Sequence, residues 1–121
     1  MQVLSDSGNE NGLHDGLSFI NGKVEKIYTK KILPHVGWNS INIKLKDKIL
    51  AGINNNTDFY FTHSYHYKLI NTSNEVASTN YGIKFSSIIN QDKIYGVQFH
   101  PEKSSDQGLD IIKSFIKLWT V

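Results

Sequence analysis

From Lys23 onward the chain alternates between short runs rich in β-branched and aromatic residues and clusters of small polar ones. The runs are KVEKIYT (Lys23 to Thr29), INIKL (Ile41 to Leu45), DFYFTHSYHY (Asp58 to Tyr67), EVAST (Glu75 to Thr79), GIKFSSII (Gly82 to Ile89) and KIYGVQF (Lys93 to Phe99). INIKL alternates apolar and polar residues with period two, which predicts a strand with one buried face. Residues 54–56, 71–74 and 90–92 lie between runs and are rich in Asn, Asp and Ser, whose side chains favour turns by bonding to nearby backbone.

The period changes near the C-terminus. Leu109, Ile112, Ile116 and Trp119 recur every three or four residues with Phe115 beside them, predicting an amphipathic helix that buries this face. Ser104, Ser105 or Asp106 is placed to cap it. At the other end, residues 5–16, SDSGNENGLHDG, predict a loop. Only Met1 to Leu4 precede that loop, a pattern that predicts a chain beginning partway through a fold. Many strands followed by one terminal helix predict a sheet covered by a helix, in the α/β or α+β class.

Composition narrows the chemistry. At 121 residues the chain is one domain or part of one, and 39% hydrophobic with 12% aromatic residues is ordinary for a globular protein. A formal net charge of +2 is too small to argue for nucleic acid, and Lys44, Lys46 and Lys48, alternating with Ile43, Leu45 and Asp47, read as a solvated face. The longest apolar stretches fall far short of the roughly 18–20 residues a transmembrane helix needs, and MQVLSDSGNE lacks the features of a signal peptide. There are no cysteines, so neither disulfides nor thiolate metal sites are available. A cytoplasmic protein is the expectation.

The chemistry-bearing stretch is YGVQFHPEKS, Tyr95 to Ser104. A strand ending in GVQF delivers His100 to a sheet edge, where open α/β proteins place their sites. Pro101 pushes His100 towards an extended conformation and turns the chain out of the sheet. Glu102 can then fold back so that its carboxylate meets one imidazole nitrogen and fixes the ring's tautomer. The bland alternative is a surface His-Pro turn with an incidental glutamate.

YGVQFHPEKSSDQG resembles the C-terminal signature of the class I, triad-type glutamine amidotransferases, and more narrowly of the glutaminase subunits of imidazole glycerol phosphate synthase. GLSFINGKVEKI (Gly16 to Ile27), LPHVGWNSI (Leu33 to Ile41), FYFTHSY (Phe59 to Tyr65) and NYGIKFSSII (Asn80 to Ile89) are similar to further segments of that family, in the same order. The resemblance implies an α/β fold, flavodoxin-like in outline, with a mixed sheet and flanking helices. It also implies a Cys-His-Glu triad in which the thiolate attacks the glutamine amide, His100 is base and then acid, and Glu102 orients it.

The nucleophile belongs to a Gly-x-Cys-Leu-Gly-Met-Gln elbow, and Met1 and Gln2 resemble its last two letters. Residues 1–121 are accordingly expected to be a partial amidotransferase domain, without the N-terminal strands, the oxyanion segment and the nucleophile elbow, and inactive alone. Gln2, Ser64 and Tyr65 are implied to hold the amino-acid end of glutamine. Pro34, Gly37, Trp38 and Asn39 are implied to face a synthase (cyclase) subunit, the heterodimer partner that receives the ammonia for histidine biosynthesis. No metal or organic cofactor is implied, and no nucleic acid or membrane as partner.

His63 and His66, with His100 as a third ligand, raise a metal site. Positions i and i+3 of one strand face opposite ways, which argues against it. Two other functions remain open: an ammonia-supplying subunit for amino-sugar or surface-polysaccharide synthesis, and a non-catalytic amidotransferase-like binding protein.

Overall fold

The structure, a computed structural model, describes residues 1–8 and 14–119. A 3₁₀ turn at Gln2–Leu4 leads into two short strands, β1 (Ser7–Gly8) and β2 (His14–Asp15), inside the stretch expected to be a loop. Residues 9–13 of that loop lie outside the described residues. The further strands are β3 (Gly22–Lys26), β4 (His35–Ser40), β5 (Asn42–Ile43), β6 (Asp58–His63), β7 (Tyr65–Leu69), β8 (Glu75–Asn80), β9 (Lys84–Gln91) and β10 (Ile94–Val97), and α1 (Ser105–Trp119) follows.

The described strands form two four-stranded sheets, ordered β2-β1-β3-β7 and β10-β9-β8-β5, and a β4-β6 ribbon. β1 and β3 run parallel and the other described pairs antiparallel, so the first sheet is mixed, as an α/β reading expects, while the second sheet and the ribbon are antiparallel.

The run Asp58 to Tyr67, read as one segment, is two strands in two sheets. β6 pairs with β4 and β7 pairs with β3. Ser64 is the joint, and its carbonyl accepts from the Ile27 N–H at 2.9 Å. The alternation gives no sign of the break, because Phe59, Phe61, His63 and Tyr67 are all odd-numbered and all buried. Phe59 and Phe61 serve one core with Ile41, Phe85, Ile88 and Phe99, whereas Tyr67 serves a second with Ile20, Val24 and Ile89. Met1, Leu4 and Tyr65 pack against that second core.

β4 was hidden by its composition, since Pro34, Gly37 and Asn39 all read as turn formers. Gly37 has φ +125°, a backbone conformation that side-chain-bearing residues avoid. Pairing with β6 from His35↔His63 to Ser40↔Asp58 carries the strand through it.

The terminal helix forms over the expected residues but seats a different face. Ile111 is buried, Ile112 and Leu118 are half-buried, and Leu109 and Ile116 are 47% and 58% exposed. Apolar residues at 109, 111, 112, 115, 116 and 118 spread too far round the helix for the pattern to choose one stripe. Ser104 does not serve as a simple cap, because its hydroxyl is taken up elsewhere.

Phe61 is fully buried and its ring lies 5.0, 5.8 and 5.8 Å from those of His35, Phe85 and Phe99. Phe61→Ala is expected to lower stability by about 3–5 kcal/mol, read as a fall in the urea midpoint.

Candidate active site

His100 is placed by its neighbours on both sides. Phe99 is buried, its ring stacked on Phe59 with centroids 4.2 Å apart, which fixes the chain just past β10. The His100 N–H donates to the Tyr60 carbonyl at 2.9 Å. The fully buried Ser104 hydroxyl donates to the His100 carbonyl at 2.6 Å and accepts from the Tyr60 N–H at 2.9 Å. The turn containing His100 is thus clipped to β6 through two hydrogen bonds and closed on itself by the third.

His100 is extended, with φ −96° and ψ 101°, as a residue before proline should be. Pro101 opens a 3₁₀ turn, Pro101–Lys103, that carries Glu102 back. The Glu102 Oε1 lies 2.9 Å from His100 Nδ1. A carboxylate accepts, so Nδ1 carries the proton and Nε2 keeps the lone pair of a base. The Glu102 carboxyl is held below its usual range, first by its own backbone N–H and then by the His100 ring and Lys103. The ring is 41% and the carboxylate 60% exposed, so the pair adds little to stability and its effect is orientation.

His100 lines an open pocket of about 490 Å³ together with Met1, Gln2, Ser64, Tyr65 and Gln98. Three of the residues implied to contact substrate, separated by up to 63 positions, therefore meet beside the histidine. The Gln2 Nε2 donates to the Tyr65 carbonyl at 3.2 Å and to Gln98 Oε1 at 3.3 Å. The turn bearing Gln2 is seated over Gly96, where a Cβ would come within 3.0 Å of Met1 Cγ and 3.1 Å of Leu4 Cδ1. Glycine in YGVQ therefore permits the approach of that turn.

His63 also lines the pocket, and its partners were not foreseen. Its Nδ1 lies 2.8 Å from the Tyr65 carbonyl and its Nε2 3.0 Å from His35 Nδ1. With both ring nitrogens engaged, it holds no lone pair free for a metal. Among the described residues no group of three His, Cys, Asp or Glu side chains is arranged to hold one. Only β4, unread in the sequence, reveals that His35 stands opposite His63.

The segment implied to face a partner has two aspects. Val36 and Trp38 are 55% and 51% exposed, with the Trp38 ring 6.0 Å from that of Tyr60. Asn39 turns inward, donating to the Asn80 carbonyl at 2.9 Å and contacting His35 Nε2 at 3.2 Å. Pro34 follows a cis peptide bond. Among the described residues no helix is long and apolar enough to cross a membrane.

A mixed-sheet domain that carries a histidine aimed by a glutamate two residues on, beside a pocket, has the architecture of an amidotransferase. Residues 1–118 match the family described as "Glutamine amidotransferase class-I", and the chain belongs to that family.

Its curated relatives are narrower in kind. It is 46% identical over 119 residues to the "Imidazole glycerol phosphate synthase subunit HisH" of Blochmanniella floridana, covering 98% of this chain and 60% of the relative. It is 43% identical over 120 residues to the subunit of the same name from Methanocaldococcus jannaschii, with 98% and 60% covered. To that of Azospirillum brasilense it is 38% identical over 125 residues, with 100% and 64% covered. The chain thus spans about three fifths of the length of these relatives.

Two outcomes are expected from this geometry. Ser104→Ala removes the acceptor of the Tyr60 N–H and should cost about 1–3 kcal/mol in chemical denaturation. Burial, then the neighbouring His63 and Lys31, lower the His35 pKa from 6.5 to about 4. Between those values the unfolded chain binds a proton that the folded one refuses. Stability should therefore be complete above pH 6.5 and fall as pH drops towards 4, with thermal melts at stepped pH as the check.

Proposed function

We propose that this chain forms the histidine-glutamate half of a glutaminase that hydrolyses glutamine to glutamate and ammonia. The ammonia passes to the synthase (cyclase) partner of imidazole glycerol phosphate synthase in histidine biosynthesis, within a heterodimer. The observation that carries the reading is the 2.9 Å contact of His100 Nδ1 with Glu102, on a pocket shared by Gln2, Ser64 and Tyr65. The names of the curated relatives support the pathway.

The sequence holds no cysteine, so the thiolate comes from a segment outside these 121 residues, and residues 1–121 act as the later part of the domain. The sulfur attacks the side-chain amide carbon of glutamine. His100 Nε2 takes the thiol's proton as the sulfur attacks and passes it to the departing nitrogen, so the C–N bond breaks and ammonia departs, leaving a thioester. His100 then takes a proton from water, whose oxygen attacks the thioester carbon, and glutamate and the thiol are released. Glu102 keeps Nδ1 protonated and the ring aimed throughout.

Gln2, Ser64 and Tyr65 supply neutral donors and acceptors for the amino-acid end of glutamine. In the segment holding Pro34, Gly37, Trp38 and Asn39, the half-exposed Trp38 offers the partner an indole, a residue type enriched where interfaces concentrate their energy.

The test joins this chain to the portion of the Methanocaldococcus jannaschii relative that the match leaves uncovered. With its synthase partner the chimera should release glutamate from glutamine, while the 121-residue chain alone should not. His100→Ala in the chimera should lower kcat by roughly 10²–10⁴-fold with the fold retained by circular dichroism. A His100→Ala chimera at full rate removes the base from His100, and turnover by the isolated chain overturns the need for an outside thiolate.

A further inference from the structure

Three polar side chains and two backbone carbonyls run in line behind the pocket, from the Asn80 carbonyl through Asn39, His35 and His63 to the Tyr65 carbonyl. The contacts are 2.9, 3.2, 3.0 and 2.8 Å. Their chemistry admits one arrangement of protons. The Asn39 Oδ1 accepts from the Ser40 N–H at 2.8 Å, so its amide nitrogen is the end that faces Asn80 and His35. An amide nitrogen only donates, hence His35 Nε2 accepts and His35 Nδ1 carries the proton. That proton is given to His63 Nε2, which leaves His63 Nδ1 protonated and able to donate to Tyr65.

The far end demands the same assignment independently. A carbonyl only accepts, so the Tyr65 oxygen requires a proton on His63 Nδ1 and thereby a lone pair on His63 Nε2. The two ends meet without a conflict. The Tyr65 oxygen that ends the line also receives the Gln2 Nε2 at 3.2 Å, and Gln2, His63 and Tyr65 all line the pocket.

We propose that His63 and His35 are positioning residues, a neutral hydrogen-bonded pair that fixes the Tyr65 carbonyl, and through it Gln2, for the substrate that the pocket takes. This role rests on the reading of the pocket as the glutamine site.

The setting suits two uncharged rings. His35 is buried between Tyr81, at 4.0 Å, and Phe61, at 5.0 Å, with Phe85 edge-on at 5.9 Å. The charged or titratable groups acting on the pair are Lys31 on His35, and His66 and His100 on His63, all of which oppose a positive ring. Burial lowers both pKa values and is the largest cause in each. A proton added to either ring would set N–H against N–H, at the Asn39–His35 contact or at the His35–His63 contact.

The test has two arms. In the ¹⁵N-labelled 121-residue chain at pH 7, ring-nitrogen shifts should show both His35 and His63 neutral and protonated at Nδ1. In Asn39→Asp, whose side chain only accepts, the pair should take up one proton and give an imidazolium signal at the same pH. A wild-type ring that is charged or protonated at Nε2, or an Asn39→Asp pair that stays neutral, overturns the relay.

In the chimera, His35→Phe keeps the ring stack and removes both nitrogens. It should raise KM for glutamine about tenfold with kcat changed far less, in line with the loss of one or two hydrogen bonds. His35→Gln, which can donate to His63 and accept from Asn39, should restore KM to within about threefold. KM unmoved by His35→Phe, or no better in His35→Gln, overturns the positioning role alone. A chimera with no turnover, though folded, overturns the glutamine reading and this role with it, while the ring shifts still decide whether the relay exists.

Discussion

The backbone of Tyr60 is the fixed point of this molecule. Its carbonyl takes the His100 N–H and its N–H gives to Ser104, whose hydroxyl in turn gives to the His100 carbonyl. Because Tyr60 sits in the middle of β6, the histidine is referred to a strand whose next residues reach the pocket wall at Ser64. The aim of the imidazole and the position of the opposite wall are therefore set by one strand and are not adjusted separately.

That arrangement separates stability from chemistry. The aromatic core around Phe59, Phe61 and Phe99 supplies the burial that holds β6 and the end of β10 together. The exposed His100–Glu102 pair contributes orientation, since a polar contact open to water is worth little to the fold. The buried histidines work in reverse: they are uncharged, they bond in one direction, and burial, together with the neighbouring Lys31, His66 and His100, opposes their protonation.

The sequence made some of this legible and hid the rest for identifiable reasons. His-Pro-Glu after a strand-like run was readable because proline restricts the residue before it and forces a turn after it. The division of Asp58 to Tyr67 was not, because strand alternation passes through Ser64 without a change of phase. β4 was concealed by Pro34, Gly37 and Asn39, and with it the opposition of His35 and His63. The helix was readable in extent but not in orientation, since its apolar residues cover more than one stripe. Gln2, Ser64 and Tyr65 could be brought together before any coordinates only through family resemblance; nothing local to those residues points to one pocket.

The joint at Ser64 has a further consequence. On one side of it lies the core built on Phe59, Phe61 and Phe99, on the other the core built on Ile20, Val24, Tyr67 and Ile89, and the pocket draws its lining from both. Such a cleft is a gauge of the distance between two independently packed interiors. A lost methyl group deep in either one would be felt as a change in the width of the mouth, so the shape of the cleft can drift through residues that never line it.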